Sequence, residues 1–306
     1  MIAFIENRNI NKQKWDKCIA NSSNTCIFVY SWYLDIVAGN WSALVLNDYE
    51  TVFPVATKSK YKINYIYQPF FTRYFGVFSK SKITHQLVYE FFEAIPSKFK
   101  YIEFCLHETN SFKIEGIQTT EKQFQLLDLK SSYETIQKNY SENTKRSIKK
   151  AIKAGLQIHL NIEPEKIVNL FKTTKGGELE IFNANDYKVL TNLMYACLEN
   201  KMGQSIAIYD GDELCAAAFF MFSNNKFTYL KNGITVNGKT KGAMYLLIDY
   251  FVKQYSGNKY DLDFGGSSVE SVAQFYKKFG AKDYVYLQVE KNTLPQVAKW
   301  IKKLKS

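Results

Sequence analysis

The run from Tyr260 to Gly280 reads Tyr-Asp-Leu-Asp-Phe-Gly-Gly-Ser-Ser-Val-Glu-Ser-Val-Ala-Gln-Phe-Tyr-Lys-Lys-Phe-Gly. An alternating apolar strand meets a double glycine, which feeds a short helix. Ser267 and Glu270 have capping-box spacing and set the helix start. Phe275 and Phe279 share one face, and Gly280 ends the helix where a left-handed residue costs little. With no side chain at Gly265 or Gly266, the amides at this helix start can approach and hold a carbonyl or phosphate oxygen. A structural glycine turn would look the same.

A second chemically suggestive stretch is Asn143-Thr-Lys-Arg-Ser-Ile-Lys-Lys-Ala-Ile-Lys-Ala-Gly155. As a helix it puts Arg146, Lys149, Lys150 and Lys153 on one side and Ile148, Ala151 and Ile152 on the other. Arg146 there can grip a diphosphate through two parallel hydrogen bonds. The bland alternative is a solvated basic face. Net charge of +11 predicts attraction to polyanions such as tRNA, nucleotide diphosphates, CoA or anionic headgroups, without choosing among them.

Other chemistries find less support. Cys18, Cys26, Cys105, Cys197 and Cys215 are scattered, odd in number and free of any C-x-x-C pair, so neither a disulfide framework nor a zinc site is expected. No triad links Cys105 to His107. No apolar run reaches the length of a membrane span. The start, Met1-Ile-Ala-Phe-Ile-Glu-Asn-Arg, is too polar for a signal-peptide core, so a cytoplasmic location is expected. With 46% apolar and 23% charged residues, the composition is that of a globular protein.

The elements that must position these groups read as follows. Helices are expected over 12–19 and 31–38, then a hairpin over 41–46 and 51–58 turning at Asn47-Asp48. Extended segments follow over 61–68 and 70–78. A helix over 82–95 carries Ile83, Leu87, Phe91 and Ile95, and a strand covers 101–105. A strand at 124–129 starts the second unit, followed by helices within 131–154, 163–174 and 186–200. An antiparallel meander covers 205–209, 213–222 and 226–232, with turns at Asp210-Gly211-Asp212 and Asn224-Asn225. A helix over 240–255, the 260–280 run, a strand over 284–290 and a basic helix over 295–305 complete the chain. The hairpins at 41–55 and 205–221 are comparable, which suggests an internal duplication. Two domains, 1–122 and 123–306, suit the length, and the terminal helix 295–306 can pack back on the first.

Asp263-Phe-Gly-Gly266 with Phe275-x-x-x-Phe279-Gly280 resembles the carboxy-terminal signature of the Fem family. Leu127-Asp-Leu-Lys-Ser-Ser-Tyr-Glu-Thr-Ile136 ahead of the basic helix is similar to a second block of that family. Fem proteins are non-ribosomal aminoacyl transferases that build peptidoglycan cross-bridges on a doubled GNAT (acyl-CoA N-acyltransferase) fold. The resemblance implies an α/β (α+β) chain of two tandem GNAT-like domains, with mixed central sheets flanked by helices. It also implies a fourth strand that splays from its neighbour, and a following helix that offers its amide-rich start to a phosphate. Here that start reads Gly238-Lys-Thr-Lys-Gly-Ala-Met244, so Lys239, Lys241, Gly242 and Ala243 become cofactor-binding candidates, although Met244 replaces the usual small residue. Arg146, Lys150, Gly265, Gly266 and Lys277 become substrate-binding candidates.

Where Fem enzymes commonly carry Lys after the first Phe, this chain has Tyr276. That neighbourhood is similar to CoA-dependent GNAT enzymes, in which a tyrosine protonates the departing thiolate. A phenol suits that task. Attack by an amine also needs a base, for which Asp263, Glu180 and Asp261 are the candidates. The resemblance thus implies acyl or aminoacyl transfer from acyl-CoA, a carrier thioester or aminoacyl-tRNA to an amine, without metal. The implied acceptor is a phosphate-bearing small molecule or cell-wall precursor, tRNA is a further partner, and no stable membrane insertion is expected. The alternative is a non-catalytic degenerate GNAT pair that binds a nucleotide or RNA. The helix over 295–305 could otherwise serve as a basic membrane anchor.

Overall fold

The structure is a computed structural model that describes residues 1–179, 181–266 and 270–296. The chain divides into two compact units, Met1–Lys122 with the segment from Val285 onward, and Gln123–Tyr284. Ser267 of the expected capping box, Glu180, and the expected terminal helix beyond Gln296 lie outside the described residues.

In the first unit the strands are β1 (Ile2–Ile5), β2 (Trp41–Leu46), β3 (Thr51–Lys60), β4 (Ile63–Ile66), β5 (Phe78–Ser79) and β6 (Phe99–Cys105). Its helices are α1 (Lys12–Asn21), α2 (Ser31–Val37) and α3 (His85–Glu93). The sheet order is β1-β2-β3-β4-β6, with β5 beside β3. The hairpin forms as expected, with Leu46 opposite Thr51 and Trp41 opposite Ala56. The segment expected to be extended over 70–78 is mostly loop, because its main chain returns to meet β6 rather than lying in the sheet. On α3 the buried stripe is Val88, Phe91 and Phe92, and Phe53, Phe91, Phe92 and Phe104 form an aromatic core.

The second unit contains β7 (Gln118–Asp128, entering from the first), α4 (Tyr133–Lys138), α5 (Glu142–Lys153), β8 (Gln157–Leu160) and α6 (Pro164–Phe171). A π-type turn (Lys172–Gly176) leads to α7 (Gly177–Leu179), α8 (Ala184–Glu199), β9 (Gly203–Asp210), β10 (Glu213–Ser223) and β11 (Lys226–Ile234). Then come α9 (Val236–Lys241), α10 (Ala243–Tyr255), β12 (Asp261–Asp263), α11 (Glu270–Lys277) and β13 (Lys282–Asn292), which continues into the first unit and pairs with β6. The order is β7-β12-β11-β10-β9-β8.

Strand β10 explains the layering. Cys215-Ala-Ala-Ala-Phe-Phe-Met221 is fully buried, as expected of a strand covered on both faces. Phe220 stacks on Phe251 of α10 at 4.0 Å. The adjacent Phe219, pointing the other way, packs over Gly203 of β9, where an added Cβ would stand 2.6 Å from the Phe219 ring and 2.8 Å from Cys197 of α8. Helix α5 also departs from expectation: Thr144, Ile148 and Ala151 are buried, whereas Ile152 is 61% exposed. Its buried stripe follows the i, i+4, i+7 spacing, and Ile152 falls a helical step outside it. The helix expected over 240–255 is two helices, broken at Gly242, whose φ is +81°.

Candidate active site

The site is built on two neighbouring strands that begin together and part. β11 and β12 run parallel with Lys226 opposite Asp261, Phe227 opposite Leu262 and Thr228 opposite Asp263. There the pairing stops. β11 continues from Tyr229 to Ile234 with a strand neighbour, β10, on one side only. The register against β10 also slips, since Phe220 faces Tyr229 while Phe219 faces Lys231. Leu230 is therefore a bulge residue, which twists β11 away from its former neighbour.

β12 turns instead. Asp263 is fully buried, and its Oδ1 accepts the Gly265 N–H at 2.9 Å. Gly265 sits at φ +86°, a conformation that excludes most side chains. This turn sends Phe264 inward to stack on Tyr276, with ring centroids 4.4 Å apart and planes 11° from parallel. Tyr229 of β11 meets both rings edge-on, at 5.9 Å from Phe264 and 6.0 Å from Tyr276. The Tyr229 hydroxyl reaches the Met244 Sδ at 3.0 Å. Burial, and secondarily the neighbouring Tyr276, pushes the Tyr229 phenol well above its ordinary range. A tyrosine-rich wedge thus stands where the strands diverge.

Tyr276 and Asp263 of the expected catalytic pair both belong to this wedge. Asp263 is committed to its turn, and the structure gives it a shape-holding task. Asp261 is tied to Lys130 at 3.2 Å. Gly265 lies buried and Gly266 exposed, and the Gly265 amide is already engaged by Asp263, so it does not face outward as an oxygen cradle. Lys277 pairs with Asp283 at 2.6 Å, and Asp283 also accepts Gln125 Nε2 at 3.0 Å. Their mutual hydrogen bond raises the Lys277 ammonium and holds the Asp283 carboxyl below the usual range. Phe275 and Phe279 do share a face, packing together at 5.5 Å, and Gly280 takes φ +86° after the helix.

The expected phosphate cradle at 239–244 has a different form. Gly242 lies against α5: an added Cβ would stand 2.7 Å from the Ser147 carbonyl oxygen. Ala243 is fully buried and Met244 is 6% exposed, so α5 covers the start of α10. Lys241 is ion-paired with Asp210, and that hydrogen bond holds the Asp210 carboxyl low. Asn237 Nδ2 bonds Asp210 and Glu213 at 3.1 and 2.7 Å. Asp210, Glu213 and Cys215 bring one ligand atom each within 4.8 Å of one another, but Lys241 and Asn237 already serve the two acids. Of the four candidate cofactor-binding residues, Lys239, Lys241, Gly242 and Ala243, only Lys239 is left exposed.

Arg146 and Lys150 project from α5 into solvent, with no ion pair among the described residues. Burial drives the Cys105 thiol up to about 11 and Cys197 higher still, which holds both protonated rather than nucleophilic. Two participants were not picked out from the sequence: Tyr229 and the bulge at Leu230. The one available hint was Gly233 in Leu230-Lys-Asn-Gly233, since a glycine within a strand marks close backbone approach; its Cα sits against the Leu170 backbone.

A family model described as an acetyltransferase (GNAT) domain matches residues 138–278, the segment that holds both the parting strands and the wedge. The chain has the GNAT acyltransferase fold. Three solved structures are similar in fold. FemX matches at a TM-score of 0.63 and 11% identity, over 91% of this chain and 96% of its own. L-PGS from Bacillus licheniformis matches at 0.56 and 9%, over 94% of each chain. A tandem GNAT protein from the clavulanic acid biosynthesis pathway matches at 0.53 and 9%, over 97% of this chain and 100% of its own. No curated protein matches in sequence. The resemblance to Fem proteins read from the two sequence blocks is thus borne out in the fold, as is the GNAT fold class. No helix among the described residues is long and apolar enough to cross a membrane.

Proposed function

We propose that the chain is an N-acyltransferase that moves an acyl or aminoacyl group from an activated ester or thioester to an amine. The observation that carries this reading is the parting of β11 from β12 at Thr228 and Asp263 within the GNAT-matched segment. A strand edge without a neighbour can receive the donor's amide or carbonyl groups as a missing strand would. The amine nitrogen attacks the donor carbonyl, a C–N bond forms, and the C–S or C–O bond breaks. The amine proton leaves to water or a base, and the departing thiolate or alkoxide takes a proton from Tyr276. Asp263 holds the turn that places Phe264 under the Tyr276 ring.

The covered start of α10 and the Lys241–Asp210 pair weigh against a diphosphate gripped there, and so favour a carrier-bound or tRNA-bound donor over free CoA. Exposed Arg146 and Lys150 suit the phosphates of such a donor or of a cell-wall precursor acceptor. The same burial of Asp263 and engagement of Lys277 favour the second reading, a non-catalytic pair that binds a nucleotide or RNA.

Transfer of radiolabelled acyl groups from acetyl-CoA and from aminoacyl-tRNA to amine acceptors separates them. Turnover with either donor, cut at least about ten-fold in Tyr276→Phe, supports the enzyme. Absence of turnover with both, together with salt-sensitive RNA binding, supports the binding module.

A further inference from the structure

The first unit carries a cleft of about 560 Å³ remote in sequence from the GNAT-matched segment. It opens where β1 ends, β2 begins, β3 ends, and the parallel pair β4 and β6 begins. Pairing places Asn64 opposite Phe99 and Ser59 opposite Asn64, so one end of the sheet forms the floor. The volume falls within the few hundred to one thousand Å³ typical of small-molecule sites.

The lining combines three chemistries. Phe4 and Phe99 form an apolar patch, ring centroids 5.8 Å apart. The Lys98 ammonium stands over both, 4.9 and 5.4 Å from their centroids, on an exposed side chain. Arg8 and Lys58 add two further cations, and Arg8 pairs with the one acid of the lining, Glu6, at 3.6 Å. Around them are hydroxyls and amides whose side chains make no hydrogen bond among the described residues, among them Ser42, Thr57 and Asn64. Ser42 is only 7% exposed. Asn7 Nδ2 is buried with no acceptor among the described residues, a state that costs on the order of 1–3 kcal/mol unless a partner arrives.

Hydrophobic walls do not need idle amides, and a solvated basic face does not need paired rings. Both together suit a ligand with an anionic end and a polyhydroxylated body, whose C–H faces lie on aromatic rings and whose hydroxyls pair with amides. We propose that this cleft binds a phosphorylated sugar or polyol phosphate, with the phosphate at Lys98 and the hydroxyls at Asn7, Ser42 and Asn64. The site does not depend on the transferase reading.

Calorimetric titration of the full chain with glucose 6-phosphate, ribose 5-phosphate, glucose and inorganic phosphate tests it. The expected result is that a sugar phosphate binds at least ten-fold more tightly than glucose or phosphate alone. Lys98→Ala should weaken that binding at least ten-fold. Asn64→Leu should weaken the sugar phosphates while leaving inorganic phosphate unchanged. Equal affinity for phosphate and sugar phosphate would reduce the cleft to an anion patch and overturn the proposal. So would unchanged titration in Lys98→Ala, or no binding of either sugar phosphate by a protein whose melting temperature shows it folded.

Discussion

The two units each pair a short parallel couple of strands, and they treat the space beyond it in opposite ways. In the first unit β4 and β6 pair as far as Ile66 and Ile102. The chain then loops out and comes back, so that the Phe75 N–H donates to the Cys105 carbonyl at 2.8 Å and His107 N–H donates to the Phe75 carbonyl at 2.8 Å. Gln68 adds a side-chain seal, its Oε1 accepting the Cys105 N–H at 2.8 Å and its Nε2 donating to Thr72 at 2.7 Å. In the second unit nothing among the described residues plays this part. On the side that β12 leaves, β11 runs on past Thr228 without a strand neighbour, and β12 folds away into a turn held by Asp263. One unit closes its sheet with backbone and a carboxamide; the other leaves an edge flanked by phenols. Because a free strand edge is a liability that proteins normally blunt, leaving one open points to use.

The contrast can be broken at several places. The largest effect is expected from Tyr276→Phe, which should cut acyl transfer ten-fold or more with little change in melting temperature; steady-state kinetics beside a thermal melt decides, and unchanged turnover removes the phenol from the reaction. Gln68→Ala in the sealed unit should do the reverse. It strands the half-buried Cys105 N–H, so stability falls by about 1 kcal/mol in denaturant titration while turnover of the remaining folded protein holds.

Asp263 sharpens the comparison further. Asp263→Asn keeps an oxygen for the Gly265 N–H, so turnover should stay within a few-fold of the parent, whereas loss of a hundred-fold or more would restore the carboxylate as a base. Gly242→Ala meets both a left-handed backbone and the Ser147 carbonyl, and should cost on the order of 1–3 kcal/mol.

The smallest effect concerns pH. Lys231, one residue past the bulge, lies over Phe171 and Phe182 at 4.9 and 5.2 Å, and burial lowers its ammonium to about 8 from 10.5. Between those values the unfolded chain keeps a proton that the folded chain has released. Its contribution to stability therefore rises with pH across that window, by at most about 1.4 kcal/mol per pH unit. Lys231→Met should lose that rise relative to the parent in melts at pH 8 and pH 10.

Local chemistry made much of this legible in the sequence. Asn224 and Asn225 turn the meander with φ of +50° and +56°, and the alternating and 3.6-residue patterns gave most strands and helices. Asp263-Phe-Gly-Gly266 marked the turn in advance. Contacts between distant residues were not legible. The basic run at 239–241 looked free because Asp210, which takes Lys241, is far away in the chain. The break at Gly242 looked like a phosphate loop because the covering Ser147 comes from another helix. β8 escaped notice because Gln157-Ile158-His159-Leu160 is only four residues long, too short a run for its alternation to stand out. The bulge at Leu230 depends on register against β10, which no single strand encodes.

Amide hydrogen exchange of β11, with and without a non-hydrolysable acyl donor analogue, measures whether the unpaired edge receives the donor. New protection should appear between Tyr229 and Ile234 at the amides that do not pair with β10, and be absent from the sealed stretch around Phe75. Donor turnover accompanied by unchanged exchange across Tyr229 to Ile234 would contradict the assignment of that edge as the donor's seat.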